Sequence, residues 1–284
     1  MSSATFVSHM GKTFESPHGP VKLVFRLGEG AFGAVYQGIC PEKTLAVKVM
    51  RAESDEEQWN FEAEVAVAKM LLEMDHTHVV VCHGFSPEAQ QGLGLLFYAL
   101  APLGSLASFV EARNEPLSLG HAWTLFEQLL DGLAFLHARG VFHRDVKPEN
   151  VLLEAEDHVR LGDFGLVRVF EQRPKKPLLF SRAGTPAFQP PESFKDGCCW
   201  AHYGDLWAAT LTLVYARTKE LPWDRAHEED AWFAAFLLGD VNEDFWAAFG
   251  DACQLLFHYL NPNVRQRVLP DKYRRSAALY GFIL

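Results

Sequence analysis

The chain is poor in cysteine, has no long hydrophobic run and carries no excess of positive charge, and each shortage narrows what it can be. Its five cysteines (Cys40, Cys82, Cys198, Cys199 and Cys253) are odd in number and lack paired metal-ligand spacing. That pattern suits reduced thiols, not a disulfide scaffold or a zinc knuckle. Apolar stretches such as "LGLLFYALAPLG" are too short and too interrupted to cross a bilayer. The formal net charge of −10, from 36 acidic and 26 basic residues, argues against a general affinity for nucleic acid or anionic membrane and favours basic partners. The opening "MSSATFVSHMGKTFESPHGP" has no signal-peptide core and no glycine after Met1, and "YGFIL" carries no prenylation cysteine. No internal repeat or low-complexity tract is visible. These features predict a soluble cytoplasmic protein, with access to the nucleus open.

What is present is core material. Hydrophobic residues make up 49% of 284 positions, with 22 Phe and 7 Trp, enough for an extensive interior split into two lobes. Residues 1–19 read as a flexible leader. From Val21, the runs "VKLVFRLGEG", "AVYQGIC" and "TLAVKVM" predict an antiparallel meander. "SDEEQWNFEAEVAVAKMLLEMD" predicts a helix capped by Ser54 and Glu57, with Phe61, Val65, Ala68 and Leu72 on its inner stripe. "VVVCHGF" and "LGLLFYAL" return to strand, and the pattern breaks near residues 99 to 104. Beyond the break, "SLGHAWTLFEQLLDGLAFLHARG" predicts a long helix with Trp123, Phe126, Leu130, Leu133 and Leu136 inward and Gly140 as its stop. "YGDLWAATLTLVYARTK", "EDAWFAAFLLGD" and "EDFWAAFGDACQLLFHYL" read as further helices. The expected fold class is α+β: a small antiparallel sheet with one main helix over about 20–100, and a larger, mostly helical part over about 101–284.

Several short motifs carry chemistry. Gly28, Gly30 and Gly33 stand at GxGxxG spacing before Val35, a pattern in which bare backbone can approach phosphate oxygens and which a plain hairpin turn also produces. A dinucleotide fingerprint would open into a helix, whereas a strand follows here. Lys48 shares a strand face with Ala46; it is either a solvated lysine or an ammonium for phosphates held by a carboxylate of the next helix. Glu62 and Glu64 are the candidates, roughly 200° apart around the helix, so only one can face the sheet, and Glu64 beside Val65 is preferred. "HRDVKPEN" delivers a carboxylate (Asp145), an ammonium (Lys147) and an amide (Asn150) from one loop, and "DFG" brings a second carboxylate, Asp163. Such a set can orient a hydroxyl, steady a transferring phosphate and hold Mg²⁺.

With GxGxxGxV at 28–35, AVKV at 46–49, HRDxKxxN at 143–150 and DFG at 163–165 in this order, the chain resembles the eukaryotic protein kinases over roughly residues 21–268. The resemblance implies a bilobal kinase fold, ATP and Mg²⁺, and transfer of the γ-phosphoryl to protein hydroxyls. It implies that Val35, Ala46 and Leu152 sandwich adenine while backbone from Ala99 to Ala101 meets its edge, with Tyr98 guarding the space behind. It further implies a Lys48 and Glu64 pair, Asp145 as catalytic carboxylate, Lys147 on the γ-phosphate, Asn150 and Asp163 on Mg²⁺, and His143 stacked with Phe164.

Lys147 and the segment "GTPAFQPPE", with Thr185 beside Asp145, resemble the serine/threonine-directed branch. A basic context around the acceptor is expected from the acidic balance and from Glu149. Arg144 either meets a phosphate on the activation segment, with Ser181 as acceptor, or bonds local backbone. The usual APE reads PPE here; Glu192 remains, and Arg265 stands where its buried partner is expected. Thr210 replaces a usual glycine. "LPWDRAHEEDAWFAAFLLGD" gives a subfamily likeness to the SH3-binding-domain kinases. A scaffold without turnover is the rival reading, and such scaffolds usually lose residues matching Lys48, Asp145 or Asp163, all kept here. A small-molecule phosphotransferase is disfavoured by "GTPAFQPPE", which serves to present a polypeptide.

Overall fold

The computed structural model describes residues 8–30, 33–86, 92–169, 179–181, 183–195 and 198–271, and the chain forms two compact units, Met1–Pro102 and Leu103–Leu284. In the first unit, β1 (Thr13–Phe14), β2 (Val21–Gly30), β3 (Gly33–Ile39), β4 (Thr44–Arg51), β5 (Cys82–Phe85) and β6 (Leu93–Ala99) build one antiparallel sheet in the order β1-β2-β3-β4-β6-β5. Alternation sorts its side chains. Leu23, Tyr36, Val47, Leu95 and Phe97 are fully buried in a core with Phe14 and Val21. Residues of the other parity, Val35, Ala46, Lys48, Leu96 and Tyr98, line the second face through the register pairs Val35 with Lys48, Lys48 with Leu96, and Ala46 with Tyr98.

Helix α1 (Asp55–Leu72) starts at the expected cap: Ser54 accepts from the Glu57 N–H, and Glu57 accepts from the Ser54 N–H. Phe61, Val65 and Ala68 are buried, but Leu72 is 48% exposed because Leu71 turns inward at the last turn. The helix lies close to the sheet at Gly94, where an added Cβ would sit 2.2 Å from the Phe61 ring.

The stretch read as a leader is structured in its second half. β1 pairs Thr13 with Lys22 and Phe14 with Val21, the Gly11 N–H donates to Leu23 O at 2.7 Å, and the Phe14 side chain is 4% exposed. The Ser/Gly/Pro composition hid one apolar residue that seats in the core. Residues 1–7 lie outside the described ones.

The second unit is largely helical: α2 (Leu106–Glu111), α3 (Leu119–His137), α4 (Pro191–Lys195), α5 (Ala201–Thr218), α6 (Ala231–Leu237), α7 (Glu243–Trp246) and α8 (Cys253–Tyr259). Short antiparallel pairs join β7 (Val141–Phe142) to β10 (Arg168–Val169), β8 (Val151–Ala155) to β9 (His158–Leu161), and β11 (Leu179–Ser181) to β12 (Cys198–Trp200). On α3, Phe126, Leu130, Leu133 and Leu136 are buried as the stripe predicts, Trp123 is only half-buried, and Gly140 takes φ +75° just past the helix. "EDFWAAFGDACQLLFHYL" is not one helix: Gly250, at φ +50° and ψ −132°, breaks it between α7 and α8.

Helix α5 is buried nearly all round, with Leu206, Trp207, Ala209, Leu211 and Val214 at zero exposure. Two hydroxyls inside it are satisfied locally: Thr210 and Thr212 donate to Leu206 O and Ala208 O, each at 2.9 Å. Replacing Phe14 by Ala should lower the stability of the first unit by about 3 kcal/mol. Urea unfolding checks this, and an unchanged midpoint would mean that the segment before Val21 contributes no core.

Candidate active site

In the first unit the sheet and α1 hold an ion pair. Lys48 Nζ lies 2.6 Å from Glu64 Oε1, and the two residues are 7% and 3% exposed. Glu62 is turned away and accepts from Gln58 at 2.9 Å. In this buried setting loss of either partner leaves a charge without its counterion, a defect worth about 3–5 kcal/mol. The pair fixes an ammonium on the sheet face that also carries Val35 and Ala46.

The glycine hairpin joins β2 to β3 with Gly28 opposite Val35 and Gly30 opposite Gly33. Its glycines answer to different demands. A Cβ at Gly33 would lie 2.3 Å from the Val49 carbonyl oxygen, so packing requires glycine there. A Cβ at Gly28 or Gly30 would meet nothing within 4 Å, so packing does not explain those two. They leave a bare backbone cradle of the kind a phosphate chain fills. At the end of β6, the Ala99 N–H is committed to Val81 O at 2.9 Å.

In the second unit a short loop after β7 gathers the remaining candidates around one carboxylate. Asp145 Oδ1 accepts from the Thr185 N–H at 2.8 Å and from Thr185 Oγ1 at 3.0 Å. Its Oδ2 accepts from Lys147 Nζ at 2.9 Å and from Asn150 Nδ2 at 3.1 Å. Lys147 Nζ also donates to Thr185 Oγ1 at 2.8 Å, and Asn150 Nδ2 to Asp145 O at 2.8 Å. With the amide nitrogen so engaged, the Asn150 side-chain oxygen is the atom suited to a cation. Gly184, at φ +92°, lets this segment approach: a Cβ there would lie 2.5 Å from Arg144 O and 3.0 Å from Asp145 Oδ1.

Asp163 is exposed, takes φ +57°, and accepts from the Gly165 N–H at 3.4 Å. His143, fully buried, ties its segment to the Asp145 loop. His143 Nδ1 accepts from the Asp145 N–H at 3.3 Å, so Nε2 carries the proton it donates to Gly162 O at 2.9 Å. The His143 and Phe164 rings lie 5.6 Å apart, at a tilt. An asparagine oxygen and a carboxylate are hard donors of the type Mg²⁺ takes alongside phosphate oxygens. Leu152 is half-buried on β8, where it bridges to Ser105.

One buried residue supports the loop. Asp205 Oδ2 accepts from the His143 N–H at 2.9 Å and from His137 Nε2 at 2.8 Å, while Oδ1 accepts from the Arg144 N–H at 2.8 Å. Burial alone would raise its pKa; the hydrogen bond and charge of His137, with help from His143 and the Arg144 N–H, hold it below the usual range. No local motif reveals this role of Asp205, because its partners lie more than 60 residues away along the chain. Arg144 itself, at φ +70°, donates from its side chain to Leu166 O at 3.3 Å. Ser181 pairs through its backbone with Cys198, and its side chain lies outside the described ones.

The partner of Glu192 needs correction: it is Arg267, not Arg265. Arg267 grips both carboxylate oxygens at 2.9 Å, donates to Tyr203 O and Asn261 O, and lies 4.8 Å from the Trp207 ring centroid. Arg265 is exposed in a 3₁₀ turn, Val264–Gln266. "VRQR" offers two arginines, and only the turn decides which points inward.

Beside the loop lies a pocket of about 530 Å³, walled by Glu111, Glu149, Phe188, Tyr215, Glu220 and Trp223 among others. The Tyr215 hydroxyl donates to Glu111 at 3.2 Å. Burial, followed by Glu111 and Glu149, pushes its phenol up to about 12.

A family model described as "Protein kinase domain" matches residues 22–273. "Serine/threonine-protein kinase chk-1" of Caenorhabditis briggsae is 29% identical over 89% of this chain and 52% of its own length. "Serine/threonine-protein kinase grp" of Drosophila melanogaster is 34% identical over 72% of this chain and 39% of its own. "CBL-interacting protein kinase 21" of Oryza sativa subsp. japonica is 30% identical over 89% and 45%. The chain thus spans about half the length of these relatives or less.

The support beneath Asp205 has a pH limit. His202 packs against His137 and Phe142, ring centroids 4.7 and 4.9 Å away. Burial, then the charge of His137, pushes its pKa from 6.5 down to about 2. Unfolded, His202 takes up a proton as the pH falls through 6.5, while the folded form does not. Stability is therefore lost progressively below that pH, with a slope approaching about 1.4 kcal/mol per pH unit from this residue. Urea midpoints measured from neutral to mildly acidic pH should fall more steeply for wild type than for His202→Phe. Equal slopes would contradict the assignment.

Proposed function

The chain belongs to the protein kinase domain family, and from that premise we propose that it transfers the γ-phosphoryl of Mg-ATP to serine and threonine hydroxyls of protein substrates. The observation that carries the proposal is the environment of Asp145. A carboxylate offers about four lone-pair sites, and here the contacts from Thr185 N, Thr185 Oγ1, Lys147 Nζ and Asn150 Nδ2 engage both oxygens. An acceptor hydroxyl can bond Asp145 only if one contact yields. Lys147 is suited to yield: its side chain is 20% exposed, and its ammonium sits on a flexible stem. A phosphate presented to Lys147 would draw it from Asp145 and free Oδ2 for the hydroxyl. Substrate occupancy and base availability are then coupled.

In the reaction so read, the hydroxyl oxygen forms a bond to the γ-phosphorus as the bond to the β-bridging oxygen breaks and ADP leaves. Asp145 orients the hydroxyl and receives its proton. Thr185 holds the carboxylate in place throughout, and Lys48, kept straight by Glu64, offers positive charge to the phosphates. Asn150 and Asp163 would hold Mg²⁺, which when bound offsets the phosphate charge. Catalysis is positional and electrostatic. Asp145→Asn should lower turnover by about 10²–10⁴-fold, measured as phosphate incorporated into a Ser/Thr peptide. Turnover retained within a factor of about two would leave the scaffold reading in its place.

The pocket beside the loop supports a basic substrate. Its carboxylates, Glu111, Glu149, Glu220 and Asp224, stand next to Pro148 and Phe188, where a cationic side chain flanking the acceptor would be met by charge on several sides. Reduced thiols and the acidic balance fit a cytoplasmic setting with nuclear access. Glu149→Gln should raise KM for an arginine-containing peptide about three- to tenfold while leaving kcat within a factor of about two. An equal loss for a peptide without basic residues would overturn the assignment.

A further inference from the structure

A second, smaller cavity lies away from Asp145, between the loop that follows α5 and helices α6 and α7. It holds about 280 Å³ and is lined by Trp223, Trp232, Phe236, Phe245 and Trp246, with Glu220, Asp224 and Asp240 also on its wall. The catalytic reading uses none of the aromatic side chains of α6 and α7.

The walls are set in place. Trp223 lies 5.0 Å from Phe236, Phe236 lies 6.4 Å from Trp246, and Trp246 lies 5.2 Å from Phe245, all centroid to centroid. Asp230 fastens the loop to the start of α6. One of its oxygens accepts from the Asp224 and Arg225 N–H groups, the other from the Trp232 and Phe233 N–H groups. Trp232, on the wall of the cavity, is 62% exposed, so its indole face is open to a ligand.

The charge of the cavity is one-sided. Glu220, Asp224 and Asp240 are exposed, and among the described residues none forms an ion pair. The cations closest in sequence are engaged elsewhere: Arg225 pairs with Glu229 at 2.8 Å, and Lys219 donates to Arg113 O. Aromatic faces attract cations through their quadrupole, and carboxylates attract them through charge. Arginine satisfies both at once, because its planar guanidinium stacks on an indole while its edge donates to carboxylates. A volume of about 280 Å³ lies below the usual range for drug-sized ligands, about 300–1,000 Å³, and suits one long side chain.

We propose that this cavity is a docking pocket for an arginine side chain of a partner polypeptide, separate from the acceptor site. Glu220 and Asp224 line both this cavity and the larger pocket beside Asp145. The two pockets therefore share one acidic wall, and a basic segment can occupy both at once.

The test uses the full chain without nucleotide, so its result does not depend on whether phosphoryl transfer occurs. A fluorescein-labelled peptide of alternating glycine and arginine, free of Ser and Thr, is titrated by anisotropy beside its citrulline counterpart. Trp232→Ala and Asp240→Asn each alter only the smaller cavity. Both are expected to weaken arginine-peptide binding about three- to tenfold, Trp232→Phe to restore most of it, and the citrulline peptide to bind far more weakly. Circular dichroism should show all variants folded, as expected for exposed positions. Binding by Trp232→Ala and Asp240→Asn that equals wild type, or a loss seen with Glu149→Gln alone, would overturn the proposal and place the arginine in the larger pocket. Equal binding of the citrulline peptide would overturn it too.

Discussion

The second unit is organised around the Asp205 carboxylate. It sits on α5, the most buried helix, and takes N–H groups from His143 and Arg144 together with the His137 ring. A buried carboxylate without such donors would be neutral or unfolded. Here the donors are the backbone of the loop that carries Asp145, so the cost of burying a charge is offset by fixing that loop. The same contacts let Arg144 keep φ +70°, a left-handed conformation that costs an ordinary residue about 1–2 kcal/mol.

Rigidity passes from there to the chemistry in short steps. The buried His143 ring links the Asp145 N–H to the Gly162 carbonyl, placing Asp163 after a segment that is itself held. Asp163 is the second non-glycine residue of this unit to carry positive φ beside a reactive group. Strained backbone clusters where surrounding structure over-determines it, and both cases here sit on segments tied to Asp205 or His143. On the other side of Asp145, Gly184 and Thr185 close in because glycine has no Cβ to strike Arg144 O. Glu192 and Arg267 then pin the end of that segment to Tyr203 and the Trp207 ring.

How much of this was legible in the sequence depended on distance along the chain. Lys48, Asp145, Asn150 and Asp163 stand in short motifs because their chemistry needs particular residue types at close spacing. Glu64 could be chosen over Glu62 because helical periodicity is a local rule, and Glu64 is the one that meets Lys48. The capping box at Ser54 was readable for the same reason. Arg267 was not, since two residues in a turn decide which arginine enters the core. Phe14 was missed because one buried aromatic leaves no period to detect. The break at Gly250 was hidden inside an apolar run that suits a helix on either side. The acidic aromatic cavity was beyond reach, since its walls come from a loop and two helices whose packing no spacing reveals.

Asp205 holds the reactive loop in working geometry, and the Asp205→Asn variant isolates that role. Asparagine keeps the shape but replaces one acceptor oxygen with a donor that opposes the N–H groups it faces. In a variant shown folded by circular dichroism, turnover on a Ser/Thr peptide should fall about a hundredfold or more. Turnover within a factor of about two of wild type would mean that the loop's rigidity comes from elsewhere.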